Sequence, residues 1–260
     1  MKVQILYPRR ALLLDDRTAE DEKKRYLVVG DLHIGFEERY AGSGVTLASN
    51  YQRMLSEILD IVEENRVTDL IINGDTKSGV DRILKSEWEY VPKFFSRLAE
   101  ACKVAVVPGN HDGGLVNLLP SSVEMLDING VLLSDTLVLH GHTRPLVKYS
   151  SECRRIVMGH VHPIFQRRGN PLTGQPVWIM LRVPKRSLFR ESLDGDSTVE
   201  VIVMPSFNLD LVVAGYSAEA ASEERREAPL VRELRQASEA IITTLQGEII
   251  GDASTLYSVL

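Results

Sequence analysis

Apolar positions in the first half of the chain switch between two periods. Three short runs, Tyr26-Leu27-Val28-Val29, Leu70-Ile71-Ile72 and residues 104–107, are continuously apolar and read as strands buried on both faces. Each stops abruptly at a glycine beside an aspartate or asparagine: Gly30-Asp31, Asn73-Gly74-Asp75 and Pro108-Gly109-Asn110-His111. Between the first two, within residues 47–65, Met54, Leu55, Ile58, Leu59, Ile61 and Val62 recur at helical spacing. Between the second and third, Trp88, Val91, Phe94, Phe95 and Leu98 form the apolar face of a helix that Ser86 can cap and that runs to about Ala101. Alternation of strand and helix predicts stacked βαβ units and a parallel sheet, with functional groups just beyond the C-terminal strand ends. Ahead of these units, residues 3–6 and 11–14 read as two short strands, and the charged stretch 15–25 as an exposed loop.

The second half has another rhythm. Short strand candidates follow one another at 123–126, 131–133, 137–139, 156–158, 177–181, 199–203 and 211–213, with few helical patterns between them. A second sheet stacked on the first is the expectation. Residues 219–245 read as one or two charged helices broken near Ala228-Pro229, and residues from Gly251 onward carry no clear signal. With no repeat or low-complexity linker, one domain is preferred: a body over 1–215 and a helical extension of it over 216–260.

Composition narrows the class. Of 260 residues, 44% are apolar and 25% charged, as in ordinary globular proteins. No apolar stretch approaches the ~20 residues a membrane helix needs, and the N-terminus lacks a secretion signal pattern. Cys102 and Cys153 stand apart in no metal-binding spacing, which predicts a cytoplasmic protein with reduced thiols. The net charge of −6 argues against a generic nucleic-acid coat. Residues 144–190, however, hold ten Lys or Arg (Arg144, Lys148, Arg154, Arg155, Arg167, Arg168, Arg182, Lys185, Arg186, Arg190) against the single acid Glu152.

The six histidines, His33, His111, His140, His142, His160 and His162, sit at or near the ends of apolar runs beside Gly, Asp or Asn. Asp31 and His33, like His160 and His162, are two apart, so on an extended strand end each pair leaves one face. With Asp75 and Asn110 they offer imidazole nitrogens and carboxylate or amide oxygens, a set suited to Mn, Fe, Zn or Co rather than to structural thiolate zinc.

The ordered series Asp31-Leu32-His33, Gly74-Asp75, Gly109-Asn110-His111-Asp112, His140-Gly141, Gly159-His160-Val161-His162 resembles the calcineurin-like metallophosphoesterase superfamily. The resemblance implies an α/β fold, a four-layer αββα sandwich of two mixed sheets flanked by helices, with two divalent metals about 3.5–4 Å apart. Mn2+ leads, with Fe, Zn, Co, Ni or Mg as alternatives. By position, Asp31, His33, Asp75 and His162 would hold one ion and Asp75, Asn110, His140 and His160 the other. Asp75 would bridge, and His111 would be the catalytic histidine. The implied reaction is phosphoester hydrolysis by a metal-bridging water or hydroxide. Leu12-Leu13-Leu14 and Val203-Met204-Pro205-Ser206-Phe207-Asn208 are similar to the narrower group of bacterial DNA-ligase-associated metallophosphoesterases and their archaeal relatives. One departure matters: the protein phosphatases of the superfamily carry Gly-Asp-x-x-Asp-Arg-Gly at the second motif, and here Ser78 stands at their histidine-orienting Asp. That disfavours a phosphoprotein phosphatase and leaves the orienting group of His111 open between Asp112 and Asp81.

The expected substrate is a phosphodiester of nucleotides or nucleic acid, met through the basic 144–190 segment. Arg144, Lys77 and Arg182 are its candidate contacts and His142 a neighbour of the site. The alternatives are a small-molecule phosphomonoesterase and a catalytically silent scaffold. No membrane partner is expected, and a homo-oligomer remains open.

Overall fold

The computed structural model describes residues 1–16, 24–38, 48–190, 197–213, 228–235, 237 and 239–260. Alternation inside its buried strands decides the layering. Leu13 of β2 (Leu12–Asp16), Leu27 and Val29 of β3 (Lys24–Val29), and Leu70 and Ile72 of β4 (Asp69–Asn73) face one way. There they pack on Met54, Ile58 and Ile61 of α1 (Tyr51–Asn65) and on Val91, Phe94, Phe95 and Leu98 of α2 (Lys85–Ala99). The intervening Leu12, Leu14, Val28 and Ile71 face the other way and meet Val138, Val157, Trp178 and Ile202 of a second sheet. Successive side chains of a strand leave opposite faces, so each central strand is shared between two cores. Beyond the second sheet, Ile156, Met158, Ile179, Leu181, Val201 and Val203 pack on α3 (Lys185–Phe189) and α5 (Pro229–Leu234). The order is helix, sheet, sheet, helix, which is the expected αββα sandwich.

The first sheet runs β1-β2-β3-β4-β5-β6, with β1 at Lys2–Ile5, β5 at Lys103–Val107 and β6 at Val123–Met125. Neighbours from β3 to β6 are parallel; β1 and β2 add antiparallel. The second runs β13-β12-β10-β11-β9-β8-β7. Its strands are β7 (Val131–Leu133), β8 (Thr136–Val138), β9 (Arg155–Met158), β10 (Val177–Pro184), β11 (Thr198–Val203), β12 (Glu239–Thr244) and β13 (Ile249–Asp252). There β8 and β11 flank β9 in parallel, and the other pairings are antiparallel.

Several local expectations are corrected. Residues 211–213 belong to a short helix, α4 (Asp210–Val213), not to a strand. The helical reading of 219–245 holds for α5, while 219–227 lie outside the described residues. It fails for Glu239–Thr244, a strand paired with β10. Its Ile-Ile-Thr-Thr run is β-branched, with Ile242 buried and Ile241 exposed, and suits a pleated surface better than a helix. Strand β13 and a 3-10 turn, Ala253–Ser258, fill the signal-free tail. The loop expected over 15–25 is strand at both ends, where Arg25 Nε bonds Asp15 Oδ1 at 2.6 Å; residues 17–23 are not among those described. Ser86 does not cap α2. The Glu87 carboxylate instead accepts the N–H groups of Leu84, Ser78 and Gly79 at 2.6–2.8 Å, and Ser86 donates to Glu38. No helix among the described residues is long and apolar enough to cross a membrane.

Candidate metal centre

Five strand ends converge. From the first sheet, β3 runs into Asp31 and His33, β4 into Asp75, and β5 into Asn110 and His111. From the second, β8 runs into His140, and β9 into His160 and His162. The expected pleat does not bring the pairs together. Asp31 (φ 58°), His33 (43°), Asp75 (48°), His160 (67°) and His162 (46°) all occupy the left-handed region. Non-glycine residues there cost of order 1–3 kcal/mol each and persist where surroundings enforce them. Backbone bonds do the enforcing: Asp31 N–H donates to Gly74 O at 3.0 Å, His33 N–H to Asp75 O at 2.8 Å, and Ile34 N–H to Thr76 O at 2.9 Å. Two glycines permit the approach. A Cβ on Gly74 (φ 79°) would run into the His140 ring, and one on Gly109 into the Asp75 carboxylate.

The side chains form two groups that share Asp75. In the first, ligand atoms of Asp31, His33, Asp75 and His162 lie within 4.8 Å of one another, and in the second those of Asp75, His140 and His160 do so. His33 Nε2 is 3.3 Å from His162 Nε2 and 3.4 Å from Asp75 Oδ2, and His162 Nε2 is 3.1 Å from Asp31 Oδ1. His140 Nε2 lies 3.3 Å from both Asp75 Oδ1 and Asn110 Oδ1, which brings the amide to the second group. All but Asn110 are buried. Burial opposes ionisation of Asp75, yet His140, His33 and His111 hold its carboxyl well below the usual carboxylate range. Burial likewise opposes a charge on His140, but Asp75 and Asp31 raise its pKa to about 9. The pocket is anionic enough to keep a proton on an inaccessible imidazole, which is the electrostatic condition a cation would exploit.

His111 stands beside the first group, its ring centroid 4.8 Å from that of His33 and its Nε2 3.9 Å from Asp75 Oδ2. Its Nδ1–H donates to the carbonyl of Ser78 at 2.8 Å. The orienting group is therefore neither Asp112 nor Asp81 but a backbone oxygen. Asp112 accepts the N–H groups of Thr76 (2.9 Å), Lys77 (3.3 Å) and Gly109 (2.8 Å), knitting the second and third loops together; Asp81 is exposed. His142 is half-buried 5.2 Å from the His140 ring and 6.2 Å from that of His160, and burial with the neighbouring His140 pushes its pKa down to about 4.

Of the three candidate substrate cations, Lys77 and Arg144 are held by contacts within the protein, and Arg182 lies apart from the converging residues. Lys77 is wholly buried with its ammonium on the Gly79 carbonyl. Arg144 spans Ser187 O (2.9 Å) and Glu233 Oε1 (2.8 Å). Arg182 is exposed on β10 and faces Glu239 at 3.5 Å, in a surface depression that contains none of the converging residues. Sequence reasoning also missed Ser206 and Asn208, buried residues that bond the Asp31 and Leu32 carbonyls. Their only signal was membership of the late 203–208 segment.

A family model described as calcineurin-like phosphoesterase matches residues 24–215. Among solved structures, the nuclease MPE of Pseudomonas putida is 19% identical with a TM-score of 0.47, the match covering 75% of this chain and 87% of that one. Yfce, a phosphoesterase from E. coli, is 14% identical with a TM-score of 0.38, covering 88% of this chain and 98% of that one. No curated protein matches. The family match takes in all five strand ends and well over half of the sequence: the chain belongs to the calcineurin-like phosphoesterase family.

Proposed function

We propose that the protein hydrolyses phosphoester bonds with two divalent metal ions, Mn2+ foremost, and that its substrates are phosphodiesters of nucleotides or nucleic acid. The observation that carries the reading is the sharing of Asp75 between two buried ligand groups. The donor set fits such ions: facing imidazole nitrogens 3.3 Å apart, two carboxylates and one amide, with no thiolate. Asp31, His33, Asp75 and His162 would hold one ion, and Asp75, Asn110, His140 and His160 the other.

Ions so placed supply a water of lowered pKa and neutralise charge on the transferring phosphoryl group. The protein's own groups do the rest. Asp75 is fixed by the His111 N–H at 3.0 Å, and Asp31 by the His160 N–H at 3.2 Å, so neither carboxylate has to reorganise when a cation arrives. With Nδ1–H committed to Ser78, His111 keeps Nε2 toward the cluster to carry a proton to the departing oxygen. The basic 144–190 segment supports a polyanionic substrate, and its Arg167 and Arg168 are exposed five and six residues beyond His162. The resemblance of Leu12-Leu13-Leu14 and residues 203–208 to the DNA-ligase-associated group is a further reason for the nucleic-acid reading.

Turnover of bis-p-nitrophenyl phosphate, p-nitrophenyl phosphate, single-stranded DNA and RNA with Mn2+ tests the proposal. Diester cleavage abolished by chelation supports it. Cleavage of the monoester alone would replace it with a phosphomonoesterase, and inertness toward all four would leave the scaffold reading.

A further inference from the structure

We infer that residues 204–208 form a strap that holds the Asp31–His33 loop in its ion-binding shape, with Ser206 and Asn208 as positioning residues. The inference rests on the metal-centre reading above and goes beyond it, because neither side chain belongs to either ligand group.

A left-handed turn points its carbonyls away from the strand ladder, so they need donors from elsewhere. Three consecutive carbonyls of the loop find them in this one segment. Phe207 N–H donates to Gly30 O at 3.0 Å, Ser206 Oγ–H to Asp31 O at 2.8 Å, and Asn208 Nδ2–H to Leu32 O at 2.8 Å. Ser206 and Asn208 are buried, 4% and 0% exposed, so water cannot substitute for them. The Asn208 amide is locked from behind, its Oδ1 accepting from Asn50 Nδ2 at 2.6 Å and from the Asp210 N–H at 3.1 Å.

The strap is anchored at both ends. Met204 N–H donates to Met158 O at 2.7 Å, on the strand that runs into His160 and His162. Arg10 Nε donates to Phe207 O at 3.1 Å, its guanidinium lies 5.0 Å over the Phe207 ring, and it pairs with Glu57 of α1 at 2.8 Å. One short segment therefore ties the sheet that supplies His162 to the loop that supplies Asp31 and His33. Removing the Ser206 or Asn208 side chain should loosen the first ion group more than the second, because both bond the Asp31–His33 loop and neither bonds Asn110, His140 or His160.

The test is calorimetric Mn2+ titration of the full chain and of Ser206→Ala, Asn208→Ala, Ser206→Thr and Asp75→Asn, with thermal unfolding of each metal-free protein. Partners that orient a ligand typically account for ~10–100-fold in metal affinity. Ser206→Ala and Asn208→Ala are expected to lose that much at one of two binding events and several-fold less at the other, with Ser206→Thr recovering most of it. Unchanged titrations in both alanine variants, while Asp75→Asn loses metal, would overturn the strap alone. So would equal weakening of both events in step with a lower metal-free melting temperature, the mark of a merely structural role. A wild-type chain that takes up no Mn2+ would overturn the metal centre itself, and the strap with it.

Discussion

The two sheets bring different chemistry to the centre. The first supplies every oxygen donor, Asp31, Asp75 and Asn110, together with His33 and His111; the second supplies imidazoles alone, His140, His160 and His162. Fixed negative charge thus belongs to one sheet, and the other offers ligands that are neutral when they bind. Neither sheet carries a complete ligand group, since His162 completes the first and His140 with His160 the second. Building the centre is coupled to docking the sheets, and the apolar layer of Leu12, Leu14, Val28 and Ile71 against Val138, Val157, Trp178 and Ile202 sets the distance across it.

The sharpest way to break this division is to remove the shared charge. Asp75→Asn should empty both groups and abolish turnover, with metal content read by elemental analysis; an active variant with a full complement of metal would refute the division. His111→Ala should keep its metal and lose ~10²–10⁴ in kcat, since proton transfer alone is removed. Metal loss in that variant would make His111 a ligand instead. Third comes the coupling between sheets. Mn2+ at a hundred times its Kd should stabilise the chain by about 2.7 kcal/mol per site, reversed by chelation and visible in thermal unfolding. No stabilisation would mean that the ligands do not depend on sheet docking.

The fourth test concerns protons on the imidazole side. The His140 pKa in the metal-free protein is raised to about 9 from its ordinary 6.5. Its charged form therefore adds stability that is full below about pH 6.5 and lost as pH rises through about 9. A cation has to displace that proton, so Mn2+ affinity should rise with pH across this window, and titrations at pH 7 in buffers of different ionisation enthalpy should report proton release. Affinity independent of pH would contradict the assignment. The smallest effect is outside the centre. Arg144→Ala, which breaks the contacts to Glu233 and Ser187, should cost about 1–2 kcal/mol of stability with metal binding unchanged.

Much of this organisation could be read along the chain because it is local. Apolar runs stopping at Gly-Asp or Gly-Asn marked β3, β4 and β5 and placed Asp31, Asp75 and Asn110 at their ends. What was hidden is of three kinds. Aspartate and histidine carry no mark of a left-handed backbone, so the turns at Asp31 and His33 passed for extended strand. A backbone atom has no letter, so the Ser78 carbonyl behind His111 was invisible. Long-range partners leave no trace in one sequence: Glu233 stands 89 residues from Arg144, and nothing near Arg144 announces that its charge is occupied. Strand β12 is a different failure. Its β-branched core was readable, but the charged residues around it gave the whole stretch a helical cast.

The central claim is that these side chains, delivered by two sheets, hold two ions through one shared carboxylate. Counting Mn2+ bound per chain in wild type and in Asp75→Asn tests it most directly. Two ions in the wild type and a near-empty variant are predicted; no ion in the wild type, or the same count in both, would contradict it.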